Sequence, residues 1–292
     1  MILCANPSAQ FTPYQAEIED AVLSVIRGNS YILGKEVEAL EEDFANYIGT
    51  SDSVGVANGT DAIELALRAL DIGLGDEVIT VSHTAVATVA AIEASGAQAV
   101  LVDVDPLTYT LNPLQLIEAY SQKTKAVIVV HLYGHSADID AITIFCNSHK
   151  LFLIEDVSQA HGAKYKGVRL GSIGDIGCFS CYPTKNLGAI GDAGLITTNS
   201  PDLAKKIRML REYGWNNRIS EYAGRNSRLD ELQAAILRIK LKYLDRDNKK
   251  RLDIAKFYLH ELANLPFQLP KIDFNVDSVF HLFVIQSNVR SH

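Results

Sequence analysis

One lysine of this chain, Lys185, lies in a sequence that could present a reactive amine. The apolar run from Cys178 is typical of a strand, Pro183 interrupts it, and a glycine-rich turn leads to a further strand over residues 195–199. Ser180 places a hydroxyl shortly before the lysine. A lysine held just past a strand end suits a Schiff base with a carbonyl, and pyridoxal 5'-phosphate (PLP) is the usual carbonyl. Most loop lysines are solvated surface charges, so this interpretation needs support from elsewhere in the chain.

A second segment, Asn58-Gly59-Thr60-Asp61, lies at a strand-to-helix turn and could bind an anion. Gly59 lets backbone N–H groups approach a ligand, Thr60 adds a hydroxyl, and the helix that follows presents its positive N-terminus. Phosphate is the anion that this arrangement favours. The same residues would also make an ordinary helix cap, since Thr and Asp are good caps.

A third segment, Glu155-Asp156 with Gln159 shortly after it, follows a predicted strand over residues 151–154. A carboxylate at the carboxyl end of a parallel strand can keep a pyridine nitrogen protonated, so that the ring remains an electron sink. Gln159 could bond a ring hydroxyl. The alternative is that Asp156 caps the loop after the strand.

A fourth segment leads into a predicted amphipathic helix over residues 229–243. Its Asn226 and Arg228 could reach an anion, while Ser227 or Asp230 would cap the helix. A solvated helix start explains the same residues. Combined, the four segments outline one site, with a phosphate cradle, a carboxylate for a ring nitrogen and a Schiff-base lysine; its residues are Gly59, Thr60, Ser180, Asp156 and Lys185.

The elements that must position this site alternate between strands and helices. Continuous apolar strands alternating with helices predict an α/β fold with a mostly parallel central sheet flanked by helices, and ligands of such sheets bind at the carboxyl ends of the strands. The predicted strands are 54–57, 77–81, 99–104, 126–132 and 151–154, and the predicted helices among them are 61–70, 84–94 and 139–148.

Helical patterns also occupy both ends of this alternating region. They cover residues 17–26, 36–48 and 201–212, and the charged stretch 245–251 leads into another helix that ends at Leu262. The apolar run over residues 279–285 predicts a strand that opens a second, smaller α/β domain. We therefore expect a large PLP-binding domain over residues 1–246, including the N-terminal helical segment, and the beginning of a small, incomplete C-terminal domain over residues 247–292.

Composition narrows the classes of partner. The 292 residues carry a net charge of −8 and the isoelectric point is near 5.5, which argues against a nucleic acid or an anionic membrane as partner. No apolar run has the length of a membrane span, and the N-terminus lacks the basic and apolar regions of a signal peptide. The four scattered cysteines predict a reduced, cytoplasmic protein.

The pair Cys178-x-x-Cys181 raises the alternative of a redox or zinc site. Zinc needs two further ligands at suitable spacing, and none follow nearby. A thioredoxin-like pair would begin a helix, whereas Phe179 and Tyr182 favour a strand here. Buried or half-buried thiols are the better interpretation, and no metal is expected.

Taken in order, these motifs closely resemble the DegT/DnrJ/StrS family of PLP-dependent sugar aminotransferases. The resemblance covers nearly the whole chain. It rests on the segments Tyr31-Ile32-Leu33-Gly34, Gly59-Thr60-Asp61-Ala62, Gly75-Asp76-Glu77-Val78-Ile79, Val130-His131-Leu132-Tyr133-Gly134, Glu155-Asp156, Gln159-Ala160-His161-Gly162, Ser180 with Pro183-Thr184-Lys185-Asn186-Leu187-Gly188, and Asn226 with Arg228-Leu229-Asp230-Glu231-Leu232-Gln233-Ala234-Ala235.

The resemblance implies fold type I, the fold of the aspartate aminotransferase superfamily. It implies that Lys185 forms the internal aldimine and shuttles the proton, and that Asp156 pairs with the pyridine nitrogen. By the same likeness Gln159 contacts the ring hydroxyl, and Thr60 and Ser180 hold the phosphate. Asn226 would reach the phosphate in a neighbouring subunit, so the resemblance implies a homodimer with shared sites.

The reaction that the resemblance implies moves an amino group from glutamate to a keto group of a dTDP- or UDP-linked deoxysugar, in polysaccharide or amino-sugar biosynthesis. A PLP-dependent sugar dehydratase is a related alternative, but such relatives carry histidine in place of the lysine. A non-catalytic sugar-binding or regulatory protein, or a truncated inactive member, is the alternative from another class. The expectation that favours it is an incomplete small domain, because family members continue beyond His281.

One position departs from the family pattern. The family places an aromatic residue over the cofactor ring at the position that aligns with Ala85. Alanine cannot stack on a ring. Either His83 covers the ring, or this face is open and leaves room for a different substrate.

Overall fold

The computed structural model describes residues 5–287. The predictions made for Cys4, for the N-terminal residues and for the end of the small domain at 288–292 therefore lie outside the described residues. The described chain begins with three helices, the first two of which are joined by a 3-10 helix at Thr12–Tyr14. They are α1 (Pro7–Phe11), α2 (Gln15–Ile26) and α3 (Lys35–Ile48). Gly49 ends α3 in the left-handed conformation, with φ of 90°, which glycine adopts without strain.

The first strands alternate with helices, as the periodicity predicts. In chain order the elements are β1 (Asp52–Val56), α4 (Gly59–Ala69), β2 (Glu77–Val81), α5 (Val86–Ser95), β3 (Gln98–Val102), α6 (Leu116–Ala119), β4 (Thr124–Val130), α7 (Ile139–His149) and β5 (Phe152–Asp156). Caps at the helix starts explain the boundaries. The side chain of Asn58 accepts from the Asp61 N–H at α4, and Asp138 does the same for Ala141 at α7.

The remaining elements complete the sheet and add a helical end. They are β6 (Lys164–Tyr165), β7 (Val168–Arg169), β8 (Ile176–Ser180), β9 (Gly194–Thr198), α8 (Pro201–Leu210), β10 (Trp215–Asn216), β11 (Ile219–Ser220), α9 (Glu231–Leu241), α10 (Leu244–Glu261) and β12 (Val276–Asp277). Strands β10 and β11 form a hairpin, and β12, β6 and β7 form a small antiparallel sheet.

Within the described residues, seven strands form the central sheet in the order β1-β9-β8-β5-β4-β2-β3. The pairs among β3, β2, β4, β5 and β8 are parallel, while β9 runs antiparallel to both β8 and β1. This confirms the prediction of an α/β fold with a mostly parallel central sheet. The carboxyl ends of β4, β5 and β8 therefore meet along one edge, where a ligand is expected.

Both faces of the sheet are covered, because successive residues of a strand point to opposite sides. Ile128 and Ile154 belong to a core shared with α4, α5 and α8, whereas their neighbours Val127 and Leu153 pack in a core on the other face with α7. Helices α3 and α9 cover that second face near β9. The doubly covered sheet explains why the strands read as continuous apolar runs.

The predicted strand over residues 279–285 is wrong. Those residues form no regular strand; Val276–Asp277 pairs with β6 instead, and Gln268 and Gln286 form an isolated bridge. Phe280 has φ of 42°, which breaks an extended run, and the Val279 N–H donates to the Gly134 carbonyl rather than to a neighbouring strand. Helix α10 runs across residue 246, and the division into domains 1–246 and 247–292 stays a prediction.

Candidate active site

A cavity of about 490 Å³ opens at the carboxyl ends of β4, β5 and β8, beside the start of α4. Six of the seven predicted site residues line it. The lining residues are Asn58, Gly59, Thr60, Asp61, Ile63, Thr84, Ala85, Ala87, Val130, Asp156, Ser158, Gln159, Ser180, Tyr182, Thr184, Lys185 and Asp192. Residues far apart in sequence therefore meet where parallel topology predicts.

One wall of the cavity is the N-terminus of α4, packed against the end of β8. A Cβ atom at Gly59 would lie 2.5 Å from the Cβ of Ser180, so only glycine permits this approach. The N–H groups of Gly59 and Thr60 belong to the first helical turn, which has no acceptors within the helix. Free N–H groups, the helix dipole and the hydroxyls of Thr60 and Ser180 make this wall suitable for a phosphate group.

The opposite wall carries Asp156, whose side chain is almost fully buried at the end of β5. Its Oδ2 accepts from the Thr88 hydroxyl at 3.0 Å, and its Oδ1 accepts from the Ser158 N–H at 3.1 Å. Thr88 is itself fully buried in α5. Two donors thus hold the carboxylate in one orientation, as a group that must face a ring nitrogen requires.

Glu155, the residue before Asp156 in β5, binds the loop at residues 171–174. Glu155 is fully buried and accepts from the N–H groups of Gly171, Ile173 and Gly174, each at 2.8 Å, and from His131 Nε2 at 3.2 Å. Burial alone would raise the pKa of Glu155, but these donors outweigh it and hold the pKa below its ordinary value. The two consecutive carboxylates therefore have different tasks: one braces the loop at 171–174 and the other lines the cavity.

Gln159 is half-buried and is oriented from behind by a backbone group. Its Oε1 accepts from the Tyr133 N–H at 2.9 Å. Tyr133 adopts a left-handed conformation with φ of 59°, which is uncommon for a tyrosine and indicates that the surrounding loop holds it in place. With Oε1 engaged, the amide nitrogen of Gln159 is the donor that remains for a ligand.

Lys185 is partly buried in the turn after β8, and its N–H donates to the Tyr182 carbonyl at 2.8 Å. Burial lowers the pKa of Lys185, although the negative charge of Asp156 opposes the shift. Among residues 5–287 no carboxylate forms an ion pair with its Nζ. A lowered pKa leaves more of the amine neutral, which is the nucleophilic form.

Asn226 does not line this cavity. It is exposed and forms an isolated bridge with Glu212. Its neighbour Arg225 contacts the first turns of α4, where it pairs with Asp61 at 3.3 Å and with Glu64. The assignment of Asn226 to the site of a second subunit stays a prediction.

Ala85 lies at the cavity mouth, exposed at the start of α5. His83 is not among the lining residues; its Nε2 lies 3.0 Å from the Tyr133 hydroxyl, within a group of rings that includes Tyr109. Of the two sequence-based interpretations, the structure therefore favours the open face. No aromatic side chain other than Tyr182 lines the described part of the cavity.

The thiols of Cys178 and Cys181 are fully buried, which confirms the prediction of buried thiols. Burial raises the pKa of Cys181 to about 12 and that of Cys178 well above its ordinary value. Thiolates are the reactive and metal-binding form, so these side chains are poorly suited to redox or metal chemistry.

Two kinds of site residue escaped the sequence-based reasoning. Thr88 lies in the first turn of α5, where a threonine indicates no particular function until the helix is packed beside Asp156. Asn186 follows Lys185 directly, yet its role depends on residues 248 and 281, which approach it only in the folded chain. The only signal in the sequence for Asn186 was its place in the motif Pro183-Thr184-Lys185-Asn186-Leu187-Gly188.

The residues present fit PLP: a glycine-permitted phosphate cradle, a held carboxylate and a partly buried amine face one cavity of suitable size. Fold and site together define a fold type I transferase, and its cofactor is PLP. The model of the DegT/DnrJ/EryC1/StrS aminotransferase family matches residues 13–292. The chain belongs to this family and is a PLP-dependent aminotransferase.

Three known proteins illustrate the similarity. A dTDP-3-amino-3,6-dideoxy-alpha-D-galactopyranose transaminase from Aneurinibacillus thermoaerophilus is 50% identical over 278 residues, covering 95% of this chain and 77% of that protein. A UDP-N-acetyl-3-dehydro-alpha-D-glucosamine 3-aminotransferase from Acidithiobacillus ferrooxidans is 44% identical over 97% of this chain and 77% of that protein. The crystal structure of Streptomyces venezuelae DesV with a ketimine intermediate has a TM-score of 0.97 at 44% identity, over 99% of this chain and 78% of DesV.

These relatives are named as transaminases, which supports the enzymatic interpretation over the non-catalytic alternative. Among the described residues no helix is both long and apolar enough to cross a membrane.

Proposed function

We propose that this aminotransferase moves an amino group from glutamate to a keto group of a dTDP- or UDP-linked deoxysugar, in polysaccharide or amino-sugar biosynthesis. The observation that carries the proposal is the meeting of Lys185, Asp156 and the α4 N-terminus in one cavity. The relatives support the sugar class, since the similar proteins are named for dTDP- and UDP-linked substrates. When bound, PLP supplies an electron sink that stabilises a carbanion.

Each residue has a defined task in this proposal. Lys185 is the covalent amine, and its Nζ, once free, takes and returns the substrate proton. The Asp156 carboxylate, oriented by Thr88 and Ser158, would pair with the ring nitrogen. The amide nitrogen of Gln159 would donate to the ring hydroxyl.

The N–H groups of Gly59 and Thr60 and the hydroxyls of Thr60 and Ser180 would hold the phosphate. Substrate enters over Ala85, whose small exposed side chain leaves the outer face of the cavity open. A bulky nucleotide-linked sugar needs such an opening.

We further propose that the working unit is a homodimer in which Asn226 reaches the phosphate of the other subunit. The exposed position of Asn226, outside its own cavity, supports this arrangement. The neighbouring β10–β11 hairpin exposes Trp215 and Ile219, apolar side chains of the kind that subunit interfaces cover.

We also propose a cytoplasmic location. The buried free thiols of Cys146, Cys178 and Cys181 support it, because thiols stay reduced in that compartment.

The catalytic proposal is tested with purified protein and added PLP. We expect a visible absorbance that borohydride abolishes, with a borohydride-stable mass added at Lys185. Lys185→Ala should lose both signals, whereas Lys166→Ala, which removes an exposed lysine, should keep them. An unchanged spectrum in Lys185→Ala would refute the assigned amine.

The substrate class is tested by incubating the enzyme with glutamate and a panel of nucleotide-linked keto-sugars, and by mass spectrometry of the sugar products. An amino-sugar product with a dTDP- or UDP-linked substrate is expected. Conversion of simple keto acids alone would contradict the sugar assignment.

The dimer is tested by light scattering, which should give twice the chain mass, and by Asn226→Ala, which should weaken PLP binding. A monomer that binds PLP normally would refute the shared site.

A further inference from the structure

Residues 278–282, called the strap here, dock across the back of the active site instead of forming a strand. The Ser278 hydroxyl and the Val279 N–H both donate to the Gly134 carbonyl, at 2.9 and 3.0 Å, and the Leu282 N–H donates to the Tyr133 carbonyl at 3.3 Å. A Cβ atom at Gly134 would lie 2.8 Å from the backbone nitrogen of His281, so the backbones of the strap and of the loop at Gly134 are in close contact. The strap thus touches the residue that orients Gln159.

The strap has a second attachment beside Lys185. Asn186, the next residue, is buried, and its Nδ2 donates to Asn248 Oδ1 at 2.8 Å and to the Val279 carbonyl at 3.3 Å. Its Oδ1 lies 3.0 Å from His281 Nδ1. Because two acceptors fix the amide nitrogen, Oδ1 must be the acceptor toward the ring, and His281 Nδ1 therefore carries the proton.

The far end of this network is also anchored. Asn248, in α10, donates from Nδ2 to the His161 carbonyl at 2.8 Å. The network therefore joins the strap, α10, the segment after β5 and the lysine turn through side chains that are largely buried. Such fully paired buried networks hold their members in one arrangement.

The lysine turn needs an external support of this kind. The Lys185 side chain is long and rotatable, and no carboxylate in the described chain pairs with its Nζ, so the position of the amine depends on its backbone. The backbone on one side is held by the bond from the Lys185 N–H to Tyr182. On the other side, the side-chain bonds of Asn186 lie next to the lysine, and the bond from the Ala189 N–H to the Cys181 carbonyl at 2.8 Å holds the turn further along.

We infer that His281 is a positioning residue for Lys185, acting through the hydrogen bond from its Nδ1–H to Asn186 and linking the lysine turn to the Tyr133–Gln159 side of the site through the strap. The inference rests on the proposed role of Lys185. It also gives the strap a role in supporting the PLP site from outside the cavity. The burial of His281 and the nearby charge of Lys185 lower the pKa of His281 to about 3, which keeps the ring neutral, with one proton to donate.

Three variants test the inference. His281→Leu removes the donor, while His281→Asn keeps an N–H near the position of Nδ1. His260→Leu is the matched control, because His260 is a strongly exposed histidine in α10. Thermal unfolding of all three first establishes that they fold.

The first readout needs no cofactor. The rate at which trinitrobenzenesulfonate modifies the protein is measured against pH, and peptide mass spectrometry identifies the modification at Lys185. With His281→Leu we expect the pH midpoint to rise toward that of an ordinary lysine, because a loosened turn exposes the amine. The second readout is PLP dissociation, which we expect to become about fivefold faster, as the loss of one ordinary hydrogen bond would produce. The kcat of His281→Leu should fall relative to the wild type, with KM nearly unchanged.

His281→Asn should restore both readouts, and His260→Leu should match the wild type. Wild-type values in His281→Leu, or equal impairment in His281→Asn and His281→Leu, would overturn the inference. Should His281→Leu fail to fold, His281→Gln, whose donor lies one bond further out, is compared with His281→Asn, and equal values for these two would overturn it. A wild-type protein that gives no borohydride-sensitive absorbance would refute the proposed function, while the cofactor-free midpoints would still decide the role of His281.

Discussion

Gly59→Ala is expected to weaken both the fold and its hold on PLP, because position 59 has no room for a methyl group. The new Cβ would lie 2.5 Å from the Cβ of Ser180 and 3.0 Å from its Cα. Non-bonded carbon atoms are most stable about 3.5–4.0 Å apart, so the start of α4 or the end of β8 must move by about 1 Å. Since β8 is held between β5 and β9, we expect the helix end to yield.

The size of the effect follows from this clash. Overpacking of this kind costs about 1–3 kcal/mol, which for a chain of this length lowers the Tm by roughly 2–6 °C. The same displacement moves the first-turn N–H groups away from the phosphate. A loss of about 1 kcal/mol in these contacts would weaken PLP affinity about fivefold.

Thermal unfolding without PLP and absorbance titration with PLP measure the two effects separately. Gly73→Ala is the control, because a Cβ there meets only one backbone oxygen, at 3.2 Å. In the double variant Gly59→Ala/Ser180→Gly the main clash is gone, so its Tm should exceed the value expected from adding the two single effects. A Gly59→Ala protein with wild-type Tm and PLP affinity, or a strictly additive double variant, would refute this account of the cradle.

Three further outcomes are expected. Thr88→Val loses the bond to Asp156, a charged acceptor, and should lower the free energy of unfolding by about 1.5–3 kcal/mol in urea titrations; Thr143→Val, whose buried hydroxyl has no partner among the described residues, should be neutral or stabilising, and equal effects would contradict the assignment. Burial lowers the pKa of His161 to about 3, so the unfolded chain binds its proton first and stability should fall as the pH drops below about 6.5, by up to ~1.4 kcal/mol per pH unit. His161→Phe should flatten this slope, and an unchanged slope would count against it. Cys181, with its pKa raised to about 12 by burial, should react with Ellman's reagent only after denaturation; rapid reaction of the native protein would disprove its burial.

Most of the fold could be predicted because its periodicities are local. The strand at Glu77–Val81 has the predicted bounds, and the helix predicted over residues 139–148 differs from α7 by one residue. Both elements bury apolar residues in a repeating pattern that a short window of sequence contains. The run over residues 279–285 has an equally apolar pattern, yet it is not a strand, because Phe280 has a positive φ and the Val279 N–H donates to Gly134 rather than to a neighbouring strand.

The candidate site was predictable to the extent that its residue types are unusual for their places. A lysine after a strand, a glycine-threonine pair before a helix and an aspartate at a strand end each indicate chemistry from their own neighbours. Thr88 and His281 carry no such mark. Their contacts depend on the packing of α5 beside β5 and of the strap beside the lysine turn, distances that local sequence does not determine.

By itself, the sequence determined the α/β class and the family, and it predicted the amine, the carboxylate and the anion cradle, because these depend on local pattern and on ordered motifs. Only the tertiary structure decided how the groups are held: that Thr88 orients Asp156, that Ser180 leaves room for nothing larger than glycine at position 59, and that His281 reaches the residue beside Lys185. These are contacts between residues 68, 121 and 95 positions apart along the chain. Hydrogen bonds and steric exclusion act over a few ångströms, so they become defined only when folding brings such distant residues together.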